Sequence, residues 1–153
     1  QDILPLIHKH HPEVEFIIAG QRPVKKVSDL ASDKVKVTGF IKDLAAMYNQ
    51  ASVVVAPLRF GAGTQNKVLE AMAMGVPVVC SNIGFKGLGI ESGEGAIMRL
   101  SPTDFAEAVC QLLADEKQRT IVGQKGADVI RNGFSWESIA VRLEQYLQQV
   151  ASK

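Results

Sequence analysis

The stretch Ser52–Ser81, SVVVAPLRFGAGTQNKVLEAMAMGVPVVCS, decides how the chain folds. Ser52-Val-Val-Val-Ala56 is a run of β-branched residues stopped by Pro57 and predicts a strand. The loop Leu58 to Gly63 opens a helix over about Gln65 to Met74, Gly75 ends it, and Val76-Pro-Val-Val-Cys-Ser81 predicts the next strand. Both strands are apolar on both faces. Strands of that kind, joined through a helix, belong to a parallel sheet covered on each side.

Working toward the N-terminus, the same alternation repeats. Asp43 is placed to cap a helix running to about Gln50, and Val35-Lys-Val-Thr-Gly39 reads as a strand ending on glycine. Before it come a polar loop with Arg22 and Pro23, a short helix to Ala31, and a strand over Val14-Glu-Phe-Ile-Ile-Ala-Gly20. The apolar spacing from Gln1 to about His11 suits a helix closed by Pro12. Because the chain opens on Gln1 inside that pattern, it is read as part of a longer protein whose first strand lies upstream.

Toward the C-terminus, Asn82 to Gly95 carries Gly84, Gly87, Gly89, Gly93 and Gly95, too much glycine for a regular element, and is expected to be a long loop. A short strand near Ala96 to Arg99 follows. Ser101-Pro-Thr-Asp104 joins a capping serine to a first-turn proline and predicts a helix with Phe105, Val109, Leu112 and Leu113 inward. Two further helices run from about Glu116 to Arg131 and from Ser135 through Trp136, Ile139, Leu143 and Leu147, with Met72, Met74 and Trp136 assigned to core. The fold expected is a doubly wound, Rossmann-like parallel sheet over residues 1–133, with a helical C-terminal third whose last helix, residues 134–153, packs on or crosses from the domain.

Composition narrows the class. The 153 residues are 46% hydrophobic and 22% charged, close to globular averages, which argues against disorder and disulfide-dense scaffolds. With 17 basic and 16 acidic side chains the formal charge is +1, so bulk nucleic-acid binding gains no support. Cys80 and Cys110 form no Cys-x-x-Cys pair, and Cys80 sits in a strand-like apolar run, which favours a reduced, cytoplasmic protein. No apolar stretch approaches the roughly 20 residues of a membrane span.

Chemistry concentrates in Pro57-Leu-Arg-Phe-Gly-Ala-Gly-Thr64 and the helix after it. Glycines let backbone approach a ligand closely, and the unpaired N–H groups of a helix start attract anions, so phosphate is the natural occupant. The loop is not a Walker motif, because no Gly-Lys-Ser/Thr follows, and it fails the dinucleotide fingerprint, because Asn66 stands where glycine is required. Glu70 sharpens the reading. A carboxylate within Val-Leu-Glu-Ala-Met-Ala is expected to be buried and in need of hydrogen-bond donors, which a ribose diol offers while the helix start holds phosphate. Against this stands a plain Lys67–Glu70 surface pair, three residues apart on one helix face.

Gly-x-Gly-Thr-x-x-Lys-x-x-Glu-Ala-Met-Ala-x-Gly-x-Pro-Val-Val, spanning Gly61 to Val79, resembles the donor-binding, C-terminal half of the GT-B-fold retaining glycosyltransferases, group 1 or family 4 type. Phe16 to Gly20, Val35 to Ala51 with Gly39 and Tyr48, Gly84 to Leu88 and Phe134-Ser-Trp136 also fit that family's pattern. The resemblance implies that Glu70 binds ribose hydroxyls and that Gly61, Gly63, Thr64 and Gln65 surround the diphosphate. It further implies positive charge from Lys67 and Arg59 on the leaving group, with Gly20, Arg22, Gly39, Phe40 and Ile41 lining the base. The substrate implied is a nucleotide-diphosphate sugar, with no cofactor and no metal, and the acceptor a hydroxyl in polysaccharide or glycolipid synthesis.

Two departures accompany the match. Many members carry a glutamate eight residues before the second one, and here Ala62 stands there, so sugar recognition differs or uses another group, for which Glu91 and Glu94 are candidates. The N-terminal acceptor-binding domain and the first strand and basic loop of the donor domain are absent, so the piece alone is expected to be inactive. Peripheral association with the inner face of a membrane is expected only of a full-length enzyme.

Other features read more plainly. His8, His10 and His11 lack cysteines or carboxylates spaced for a closed metal site and are taken as a solvated helix end. The basic residues between Arg22 and Lys42 are taken as surface lysines and arginine. Two other functions stay open: a sugar-nucleotide epimerase of the same overall fold, and a non-catalytic assembly module in which the glycine loop is merely a turn.

Overall fold

The computed structural model describes residues 2–151. The chain runs α1 (Leu4–His10), β1 (Phe16–Ile18), α2 (Lys25–Ser28), β2 (Val35–Val37), α3 (Leu44–Gln50), β3 (Val54–Ala56) and α4 (Asn66–Ala73), then β4 (Val78–Cys80), α5 (Asn82–Phe85), β5 (Ala96–Met98), α6 (Pro102–Ala114), α7 (Glu116–Gly133) and α8 (Trp136–Ala151). Every ladder is parallel, as the apolar strands separated by helices require.

The strands divide into two hydrogen-bonded groups, β1–β2 and β3–β4–β5, where the sequence suggests one continuous sheet. Phe16 is in register with Val35, Val54 with Val78, and Val78 with Ala96. Single bonds prolong the ladders beyond the strand ends, as where Val54 N–H donates to the Pro77 carbonyl at 3.0 Å and Arg99 N–H to that of Cys80 at 3.0 Å.

Strand alternation sorts the core onto the two faces of β3–β4–β5. Val79 and Ile97 face one way, into a layer formed with Ile7 of α1 and Phe105, Val109 and Leu112 of α6. Ala56, Val78, Cys80 and Ala96 face the other way, against Val68, Ala71 and Met72 of α4. Helices on both faces make this the doubly wound arrangement.

Helix starts follow their caps. Asp43 Oδ1 accepts from the Ala46 amide at 2.9 Å, Ser101 Oγ from Asp104 at 3.1 Å and Ser135 Oγ from Ser138 at 3.1 Å. The segment after β4 departs from the expected loop, because Asn82–Phe85 forms a helical turn despite Gly84. There glycine is required by proximity: a Cβ on Gly84 would lie 2.9 Å from that of Cys80.

α7 approaches the rest of the domain through two glycines one turn apart. A Cβ on Gly123 would meet the Gly75 carbonyl oxygen at 1.9 Å, and one on Gly126 would meet Gly95 Cα at 3.1 Å. On α8, Trp136 departs from the expected core placement. Trp136 is 85% exposed rather than core, and Ile139, Leu143, Leu147 and Val150 are exposed with it, so α8 adds no buried residue. Met72 is fully buried as expected, whereas Met74, at the end of α4, is exposed.

Candidate functional site

The site is built on the loop between β3 and α4. Gly61 and Gly63 adopt φ of 156° and 69°; the second lies in the left-handed region that favours glycine and turns the chain into the helix. Residues 61–64 are exposed, and the segment after β4 backs them: Cβ atoms added at Gly61 and Gly87 would lie 3.4 Å from Ile83 Cγ2 and Thr64 Oγ1, respectively.

The start of α4 differs from those of α3, α6 and α8 in having no side-chain cap. Gln65, at the capping position, turns its amide back instead, with Nε2 donating to the carbonyls of Gly63 at 3.3 Å and Ala62 at 3.4 Å. Lys67 Nζ donates to Gln65 Oε1 at 3.2 Å, which holds the ammonium over the helix entrance. Uncapped amide dipoles and a lysine together favour an anion there.

Glu70 lies four residues beyond Asn66, about 6 Å along the axis. It is exposed, which corrects the expected burial. The reason lies in the helical stripe: Val68, Ala71 and Met72 occupy i, i+3 and i+4 and take the sheet-facing side, leaving Asn66, Lys67 and Glu70 outside it. The Lys67–Glu70 ion pair is not formed; Tyr48 Oη of α3 donates to Glu70 Oε2 at 3.0 Å and, at 3.4 Å, to the Lys67 carbonyl.

Tyr48 is half-buried against the α4-side core. Burial first, and then the hydrogen bond and negative charge of Glu70, push its phenol up from 10.0 to about 12. At neutral pH the phenol is protonated with or without that rise and stands as a donor to Glu70. Sequence spacing carried no sign of this contact, since it depends on how α3 packs beside α4.

The predicted base-lining residues belong to other loops. Gly20 and Arg22 follow β1, and Gly39, Phe40 and Ile41 follow β2; all but half-buried Ile41 are exposed. Among the described residues, no hydrogen bond or ion pair joins any of the five to the α4 loop. Arg22 is the non-glycine residue with positive φ among those described, at 48°. Arg59 meets Asp2 at 3.4 Å in an exposed pair. Glu94 Oε2 accepts from the Glu91 amide at 3.0 Å, so this acid folds back on its own loop. Phe60, 87% exposed beside the glycines, was not singled out by the sequence, in which it reads as an ordinary loop aromatic.

A groove of about 710 Å³ lies between α1 and β1–β2, and one of about 620 Å³ lies among Gly87–Ile90, α7 and Arg142, beginning at the glycine that backs Thr64. The histidines at the end of α1 are tied locally: His8 Nε2 is 3.1 Å from the Val14 carbonyl and His11 Nδ1 is 3.2 Å from Glu13 Oε1. Among the described residues no helix is long and apolar enough to cross a membrane.

Comparison with known proteins identifies the family. A family model described as "Glycosyl transferases group 1" matches residues 1–115. Spore coat protein SA of Bacillus subtilis is 27% identical over 92% of this chain and 42% of its own length. The D-inositol 3-phosphate glycosyltransferase of Paenarthrobacter aurescens is 33% identical over 71% of this chain and 27% of its own length. The chain thus spans less than half the length of these curated relatives.

Solved structures share the fold. HepE of Anabaena, in complex with UDP, superposes with a TM-score of 0.82 at 17% identity, covering 97% of this chain and 44% of its own. The C-terminal domain of a group 1 family glycosyl transferase, LpcC of Francisella tularensis, gives a TM-score of 0.72 at 22% identity over 88% of this chain and 77% of its own. TarM of Staphylococcus aureus, in a complex that includes UDP, gives 0.81 at 25% identity over 96% of this chain and 31% of its own.

Proposed function

This chain belongs to the group 1 glycosyltransferases and corresponds to the donor-binding half of their GT-B fold, and from that premise we propose that it holds a nucleotide-diphosphate sugar along α4. The observation that carries the proposal is a single helix presenting an uncapped, glycine-preceded start and, one turn later, an outward carboxylate already oriented by Tyr48. Glu70 accepts hydrogen bonds from the ribose hydroxyls, and the amides of Gly63 and Thr64 take the diphosphate. The loops holding Gly20, Arg22 and Gly39 to Ile41 line the base.

In the whole enzyme the reaction passes the sugar to an acceptor hydroxyl with retention of anomeric configuration, in the synthesis of a polysaccharide or glycolipid. Charge develops on the leaving diphosphate as the bond from the anomeric carbon to its phosphate oxygen breaks, while the acceptor oxygen bonds to that carbon and passes its proton to the departing diphosphate. Lys67 and the helix amides oppose that charge, and Arg59 joins them once its exposed contact with Asp2 is exchanged for the ligand. The reading calls on no cofactor. An N-terminal acceptor domain supplies the facing wall and excludes water, so the chain alone binds donor without transferring sugar.

Thermal unfolding with UDP, GDP and ADP in turn tests the proposal, UDP first because HepE and TarM hold it. A ligand that binds only the folded state raises the midpoint with concentration. One of the three nucleotides is expected to do so, and Glu70→Ala to remove the rise. No shift with any of them contradicts the proposal.

A further inference from the structure

We infer that Tyr48 is a positioning residue for the Glu70 carboxylate, one that sets the affinity of this surface for a ribose as opposed to a deoxyribose; the inference rests on the donor-binding reading above. Glu70 stands on an exposed helix face, where a glutamate side chain is free to sample several rotamers and loses that freedom on gripping a ligand. The Tyr48 hydroxyl at 3.0 Å from Oε2 restricts it beforehand. A carboxylate accepts about four hydrogen bonds, so one taken by the phenol leaves Oε1 and a lone pair of Oε2 for two vicinal hydroxyls.

Tyr48 is itself held in place. Its ring packs on the core layer that contains Val68, Ala71 and Met72 of α4, so ring and carboxylate are referred to the same helix. Asp43 caps the start of α3, and the Ala51 amide donates to the Tyr48 carbonyl at 3.0 Å at its end. The second, longer contact from Oη to the Lys67 carbonyl keeps the phenol between the turn that bears the lysine and the turn that bears the acid. Preorganisation of this kind shows in ligand affinity and selectivity rather than in any new contact to the ligand.

The test compares dissociation constants of UDP and 2′-deoxy-UDP, with the GDP and ADP pairs in parallel, for the parent chain, Tyr48→Phe and Glu70→Gln. Tyr48→Phe keeps the ring and removes the donor. It is expected to weaken the ribonucleotide about tenfold, the lower end of what a hydrogen bond to a charged group is worth, and to shrink its advantage over the 2′-deoxy form. Equal weakening of both forms, or unchanged binding alongside a Glu70→Gln defect, overturns the inference and leaves the donor site standing. Unchanged binding by Glu70→Gln overturns the donor-site reading itself, and the inference with it.

Discussion

The Tyr48 hydroxyl sits 3.0 Å from Oε2 of Glu70, a residue 22 positions later in the chain, and stitches α3 to α4 at the rim of the glycine loop. The contact makes the outward carboxylate a fixed acceptor instead of a mobile surface charge. It also has a consequence in alkaline solution.

Because folding raises the Tyr48 phenol from 10.0 to about 12, the folded state keeps a proton that the unfolded chain releases. The resulting stability is complete below pH 10.0 and is lost as pH rises toward 12. Cys80, pushed by burial from 9.0 to about 12, acts in the same direction from a lower starting pH. Thermal midpoints followed through this range are expected to fall, and less steeply in Tyr48→Phe. A phenolate absorbance titration is expected to show the Tyr48 step moving down in Glu70→Gln.

Gly63 has open space around it, so a side chain there meets no neighbour; the cost is conformational, at φ 69°. Gly63→Ala is expected to lose about 1 kcal/mol in urea denaturation and to weaken nucleoside diphosphate binding as the loop amides turn away. Unaltered stability would show that the loop relaxes freely.

Gly123 presents the opposite case. A Cβ would enter the space of the Gly75 carbonyl oxygen at 1.9 Å, backbone against backbone, with no flexible side chain to move aside. Gly123→Ala is expected to cost about 3 kcal/mol, as overpacking with displacement of α7, and to lower the urea midpoint accordingly. Gly133→Ala, with nothing near its Cβ, serves as the comparison.

Leu143 and Leu147 on α8 are exposed, at 57% and 61%, and contribute nothing to the core of this domain. Replacing either by Gln is expected to shift stability by no more than about 0.5 kcal/mol. A larger loss in the unfolding transition would mean that α8 folds back on the domain in solution.

Much of this was legible in the sequence, for physical reasons that act locally. Val54–Ala56, Val78–Cys80 and Ala96–Met98 are apolar runs between helical patterns, and Asp43, Ser101 and Ser135 announce their helices through short-range hydrogen bonds. The glycine loop and the residue types along α4 were legible too. The orientation of Glu70 was misjudged from its apolar neighbours, although the Val68, Ala71, Met72 stripe already excludes it from the buried face. Tyr48 against Glu70, Gly123 against Gly75, and the division of the strands into two groups depend on packing between distant segments. The apolar stripe of α8 announces a helix but not what lies against it, so Trp136 was assigned to a core it does not enter.

The most direct measurement is an amide NMR titration of the chain with the nucleoside diphosphate that raises its thermal midpoint. If one ligand bridges the amides ahead of α4 and the carboxylate one turn later, the amides of Gly61, Gly63, Thr64 and Lys67 shift together with those of Glu70 and Tyr48 along a single binding curve. Shifts confined to the groove between α1 and β1–β2, or to the one bordered by Arg142, with the α4 amides unmoved, would contradict the account.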